Sequence, residues 1–96
     1  MMDLKYQEAL RKAFLDLHGC KCLHLETVPV IERWQGKTVW EGEVEVFDLT
    51  GHPKASRGYA WNYDKEKGSA TVAVLELPPV ISAKTAVQAA IVAEGK

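Results

Sequence analysis

Hydrophobic positions at the start of the chain recur at spacings of three and four. Between Asp3 and His18, Tyr6, Leu10, Ala13, Phe14 and Leu17 make one apolar stripe, while Lys5, Glu8, Arg11, Lys12 and Asp16 fall elsewhere. This predicts an amphipathic helix with one buried face. Asp3 is a candidate N-cap, and Gly19 can adopt the left-handed conformation that ends a helix.

The period then changes. From Leu23 to Trp34 the residues become β-branched and alternating, with Pro29 in the middle. A proline cannot donate to a central ladder, so this strand is expected at a sheet edge or with a bulge at Pro29. Gln35-Gly36 supplies a tight turn. Trp40, Gly42, Val44 and Val46 then alternate with Glu41, Glu43 and Glu45, which predicts a strand with one buried face and one acidic face.

Asp48 to Ala55 contains Gly51 and Pro53 and reads as a loop. Ser56 to Asp64 alternates again, with Tyr59, Trp61 and Tyr63 on one face. After the charged turn Lys65-Glu66-Lys67-Gly68, the segment Ala70 to Leu77 is apolar on both sides, which suits a strand that is central or covered on both faces. Pro78-Pro79 stops it. Ser82 is a candidate N-cap for a second helix, whose stripe of Ala83, Ala86, Val87, Ala90 and Ile91 runs to about Glu94.

The order is helix, four strands, helix. Short connections favour an antiparallel four-stranded meander, and the expected fold is an α+β two-layer sandwich, α-β-β-β-β-α, with both helices packed on one sheet face. The expected core includes Leu10, Phe14, Leu17, Trp40, Val44, Val46, Val72 or Leu75, Val87, Ala90 and Ile91.

Composition narrows the function classes. With 96 residues the chain reads as a single domain, 1–96, too short for a (β/α)₈ barrel or a full dinucleotide-binding fold. The 12 Lys+Arg balance 13 Asp+Glu, which removes the electrostatic footprint usual in nucleic-acid binders. No apolar stretch approaches the roughly 18 residues of a membrane span, and the mixed-charge N-terminus does not read as a signal segment. The expectation is a cytoplasmic protein with no membrane partner and no cofactor.

Four features could carry chemistry. If both helices cover one face, the other exposes Glu41, Glu43, Glu45, Arg57, Tyr59, Trp61 and Tyr63, a surface suited to a protein partner, a homodimer or a ligand. The loop around His52, Lys54 and Arg57 concentrates cationic and titratable groups and could bind a small anion, or serve a small enzyme if Asp48 fixes the His52 tautomer. His18-Gly19-Cys20-Lys21-Cys22-Leu23-His24 offers soft ligands, of which Cys20, Cys22 and His24 are the metal candidates. A simple four-ligand site is opposed by strand geometry, since the ends of an extended seven-residue segment lie about 20 Å apart.

Finally, Ser82-x-Lys84-x-Ala86-x-x-Ala89-Ala90 resembles the opening of the last helix in double-stranded RNA-binding domains. That resemblance implies RNA phosphate contacts through Lys84 and makes RNA binding a third reading. The leading expectation is a non-enzymatic binding or interaction module acting through the open sheet face. A small enzyme or anion-binding protein is the alternative.

Overall fold

The computed structural model describes residues 4–65 and 68–93, without the side chains of 63–65, 68 and 69. Asp3, the centre of the Lys65–Gly68 turn and Glu94 lie outside the described residues. Helix α1 spans Leu4–His18, followed by strands β1 (Lys21–Trp34), β2 (Lys37–Thr50), β3 (Arg57–Lys65) and β4 (Gly68–Leu75), and by helix α2 (Ala83–Ala93). The sheet order is β1-β2-β3-β4, with every neighbouring pair antiparallel, so the fold is an α+β meander.

Local chemistry explains the boundaries. Gly19 ends α1 at φ 68°, where its N–H donates to Leu15 O, the bond of an αL cap, and the following Cys20 N–H donates to Phe14 O at 3.4 Å. Gln35 and Gly36, at φ 51° and 79°, make the two-residue turn whose handedness matches twisted strands. The Pro78–Pro79 peptide bond is cis. Ser82 caps α2 by accepting the Thr85 N–H, and Thr85 Oγ1 accepts the Ser82 N–H in return.

The two helices occupy opposite faces of the sheet, not one face as the strand patterns alone suggest. Leu10 and Phe14 of α1 pack with Cys20, Cys22, Phe47, Leu49, Ala60 and Ala73. Ala83, Ala86 and Val87 of α2 pack instead with Val30, Val44, Val46, Tyr59 and Trp61. Successive strand residues point to opposite sides, so Val46 and Phe47, or Tyr59 and Ala60, serve different helices. The physical reason is that β2 buries four residues in succession, Val44 to Phe47, and β4 is apolar on both faces. Each surface needs its own cover. β4 is nevertheless an edge strand, covered on both sides by the two helices and not by a central position.

Other expectations shift with this arrangement. Leu17 is 64% exposed and does not belong to the core; in the last turn of α1 it is His18 that meets the sheet, its Nε2 2.9 Å from Ala73 O. Trp40, Val72, Leu75, Ala90 and Ile91 are half-buried around the two cores. β1 is an edge strand, as Pro29 predicts, but Pro29 pairs regularly with Glu43; the irregularities fall between His24 and Glu26 and between Glu32 and Arg33.

The pairing of β2 with β3 is short, running from Glu45–Ala60 to Asp48–Arg57. Beyond it the β1–β2 and β3–β4 hairpins diverge. At the fork, the Asn62 N–H donates to Tyr6 Oη at 3.0 Å. The hydroxyl of α1 thus takes a donor that β2 no longer reaches.

Candidate functional site

On the α2 side of the sheet a cleft of about 400 Å³ runs between β1 and the segment leading into α2. Its floor is apolar, formed by Val28, Val30, Val46 and the Tyr59 ring, and Ile81 and Ala83 make its wall. β1 lines it from Glu26 to Ile31, a length of about 17 Å at ~3.3 Å per residue. The volume lies in the range of small-ligand sites.

The two ends of the cleft differ electrostatically. At one end stand Arg57 and Glu26, beside the buried Tyr59. Arg57 has no ion-pair partner within 4 Å among the described residues. Tyr59 donates its hydroxyl to Glu76. At the other end Lys84 reaches Glu32 at 3.5 Å, while Gln88 Nε2 donates to the same carboxylate oxygen at 2.9 Å. Lys84 is therefore already engaged, and among the described residues that line the cleft Arg57 is the cation left for a ligand.

Burial, followed by the bond to Glu76, pushes the Tyr59 phenol up from 10.0 to about 12, with Arg57 opposing. An unfolded tyrosine releases its proton near pH 10, whereas the folded one keeps it. Stability contributed by this difference is complete below pH 10 and is lost as the pH rises towards 12. Thermal unfolding across that interval should show a falling Tm whose slope is shallower in Tyr59→Phe; an equal slope in both proteins would remove Tyr59 as the cause.

The seven residues expected on one open face do not share a face. Glu41, Glu43 and Glu45 project to the α1 side, as their pairing with Ile31, Pro29 and Thr27 requires. Arg57, Tyr59 and Trp61 project to the α2 side, where Tyr59 and Trp61 are buried and Trp61 meets Trp40 edge to face at 5.7 Å. Tyr63 pairs with Ala70, but its side chain lies outside the described residues. The cause is the second helix, which covers the aromatic face.

The loop cluster also separates. Asp48 belongs to β2 and pairs in register with Arg57 at the start of β3. His52 Nδ1 accepts the backbone N–H groups of Lys54 at 3.1 Å and Ala55 at 2.9 Å, so this imidazole organises its own turn and Asp48 does not fix its tautomer.

The soft-ligand segment is likewise divided. Cys20 and Cys22 are buried free thiols in the α1 core, and Cys20 donates to His18 O at 3.4 Å. Burial pushes the Cys22 thiol up, against the pull of Arg11. No group of three or more metal-ligating side chains occurs among the described residues.

His24 is engaged elsewhere. Its Nε2 lies 2.8 Å from Oε1 of Glu45, a carboxylate only 3% exposed, which also accepts from Thr27 Oγ1. The His24 ring stands edge-on to Phe47 at 5.3 Å. Alternation alone places Glu45 in solvent, so this buried pair escapes a sequence reading. The signal available was a carboxylate set between Val44, Val46 and Phe47, which needs a partner if buried. Nearby, burial pushes the Tyr6 phenol up, opposed by the Asn62 N–H and reinforced by Glu45 and Glu43.

No helix among the described residues is long and apolar enough to cross a membrane. Compared with models of protein families, with curated proteins and with solved structures, the chain matches none.

Proposed function

We propose that this protein is a non-enzymatic binding module whose β1–α2 cleft takes an elongated ligand with an apolar body and an anionic group at the Arg57 end. The observation that carries this reading is a guanidinium with no ion-pair partner among the described residues, at the end of an apolar floor. A guanidinium presents donors in a fork that fits carboxylates and phosphates, and aliphatic walls favour an apolar tail. Glu26 beside Arg57 disfavours a ligand with several negative charges and suits a single one.

Hexanoate and butyl phosphate are simple probes of this chemistry. A ligand at 100 times its Kd adds about 2.7 kcal/mol of stability, enough to raise the Tm of a domain this size by about 10 °C or more. Arg57→Ala should weaken binding at least tenfold, the loss of a charge-assisted hydrogen bond. Absence of any shift with both compounds, or equal binding by wild type and Arg57→Ala, would remove the reading.

A further inference from the structure

We propose that the occupant of this cleft is an extended peptide segment that adds as a fifth strand to the free edge of β1, with an acidic side chain at Arg57 and apolar side chains along the floor. The inference rests on the cleft reading above and names the class of ligand it takes.

Its basis is the hydrogen-bonding phase of β1. Along an antiparallel strand, backbone groups point alternately to one neighbour and to the other. The Leu49 N–H donates to Ser56 O at 2.9 Å, so odd-numbered residues in this part of β2 point towards β3 and even-numbered ones towards β1. The β1 partners of Val46, Val44 and Gly42 are Glu26, Val28 and Val30, whose backbone groups therefore point inwards. Those of Thr27, Pro29 and Ile31 point outwards, away from the sheet.

Pro29 agrees with this phase, because proline is tolerated in a strand where its missing N–H would face outwards. The free edge therefore offers three carbonyls, at 27, 29 and 31, and two N–H groups, at Thr27 and Ile31. It runs beside the cleft along the same residues, Glu26 to Ile31. An added strand finds backbone partners at the edge and side-chain pockets on the α2 face.

Side-chain direction sets the motif. In an added strand, residues i, i+2 and i+4 face the cleft. The charge at Arg57 calls for an acidic residue at one end, and Val28, Val30 and Ile81 call for apolar residues at the next two cleft-facing positions. The fit is to a short acidic-x-apolar-x-apolar segment, in whichever direction the strand runs. A rigid compact metabolite would leave the edge unpaired.

Isotope-labelled protein titrated with acetyl-Glu-Thr-Val-Thr-Val-amide, and with the reversed order, tests this by amide hydrogen exchange. Slowing of at least tenfold at Thr27 and Ile31 is expected from one of the two. The phase-shifted peptide acetyl-Glu-Val-Thr-Val-Thr-amide should bind at least tenfold more weakly. Ile31→Pro removes an outward N–H that has no partner among the described residues, so it should leave Tm nearly unchanged while weakening the peptide at least tenfold.

Hexanoate binding without binding of either active peptide would overturn this proposal and leave the cleft reading intact. Peptide binding that leaves Thr27 and Ile31 unprotected, or equal binding of the phase-shifted peptide, would overturn it too. Failure of hexanoate, butyl phosphate and peptides alike would remove both. Concentration-dependent protection of the same amides without peptide would assign the edge to a second copy of this chain, again overturning the proposal.

Discussion

Truncation of Phe14 to alanine is expected to lower the unfolding free energy by about 3–5 kcal/mol. The ring is fully buried and meets Phe47 at 5.5 Å. It also fills the space over Gly58, where an added Cβ would lie 2.5 Å from Phe14 Cε1, 2.7 Å from Cζ and 3.3 Å from Leu49 Cδ1. Gly58→Ala in the wild-type background should therefore cost about 1–3 kcal/mol by overpacking.

The two changes touch the same volume, so their effects will not add. Gly58→Ala should be nearly neutral once Phe14 is alanine, giving an interaction energy of about 1–3 kcal/mol in a urea-denaturation cycle. Because Gly58 and Tyr59 point to opposite sides, this cycle tests the placement of α1 on the face away from α2. A neutral Gly58→Ala in wild type would contradict that placement.

The second large effect is expected at Glu45. His24→Ala would leave a carboxylate only 3% exposed with Thr27 as its remaining side-chain partner. Removing one member of a buried pair costs about 3–5 kcal/mol when both are charged, and about 1.5–3 kcal/mol when the bond is to a single charged group. His24→Ala should therefore cost about 2–4 kcal/mol. In a Glu45→Gln background the same truncation should cost less, since no orphaned charge remains. Equal costs in the two backgrounds would show that His24 stabilises through its contact with Phe47 and not through Glu45.

Much of the fold was legible because local signals agreed with one another. The stripe on α1, the Gly19 stop, the Gln35-Gly36 turn, Pro29 at an edge and the Ser82 cap each had a stated physical reason, and the six elements follow in the expected order. What misled was the middle of β2. Three alternating glutamates suggest a wet face, yet Phe47 and Leu49 continue the same face as Glu45 and make it apolar where α1 lands. The two-sided apolarity of β4 pointed to covers on both sides, but strand patterns alone do not assign a helix to a side.

The candidate site was less legible. Arg57 and Tyr59 were visible as chemistry-bearing residues, but the cleft needs Ile81 and Ala83 brought against β1 from fifty residues away in sequence. The His24–Glu45 pair lies beside the irregularity between His24 and Glu26, where one extra residue changes which side chains face α1. Alternation read straight through Leu25 puts His24 and Glu26 on one face. The structure puts them on two.

The division of the apolar residues into two separate clusters has a consequence for how the molecule holds itself together. Its interior is not one droplet but two thin films on either side of a polypeptide membrane four strands wide. Each film is closed by the helix from one end of the chain. The sheet backbone joins the two surfaces, by way of neighbours such as Glu45 and Val46 that share a peptide bond and face opposite ways. The sheet is thus both the divider of the two halves and the conduit between them.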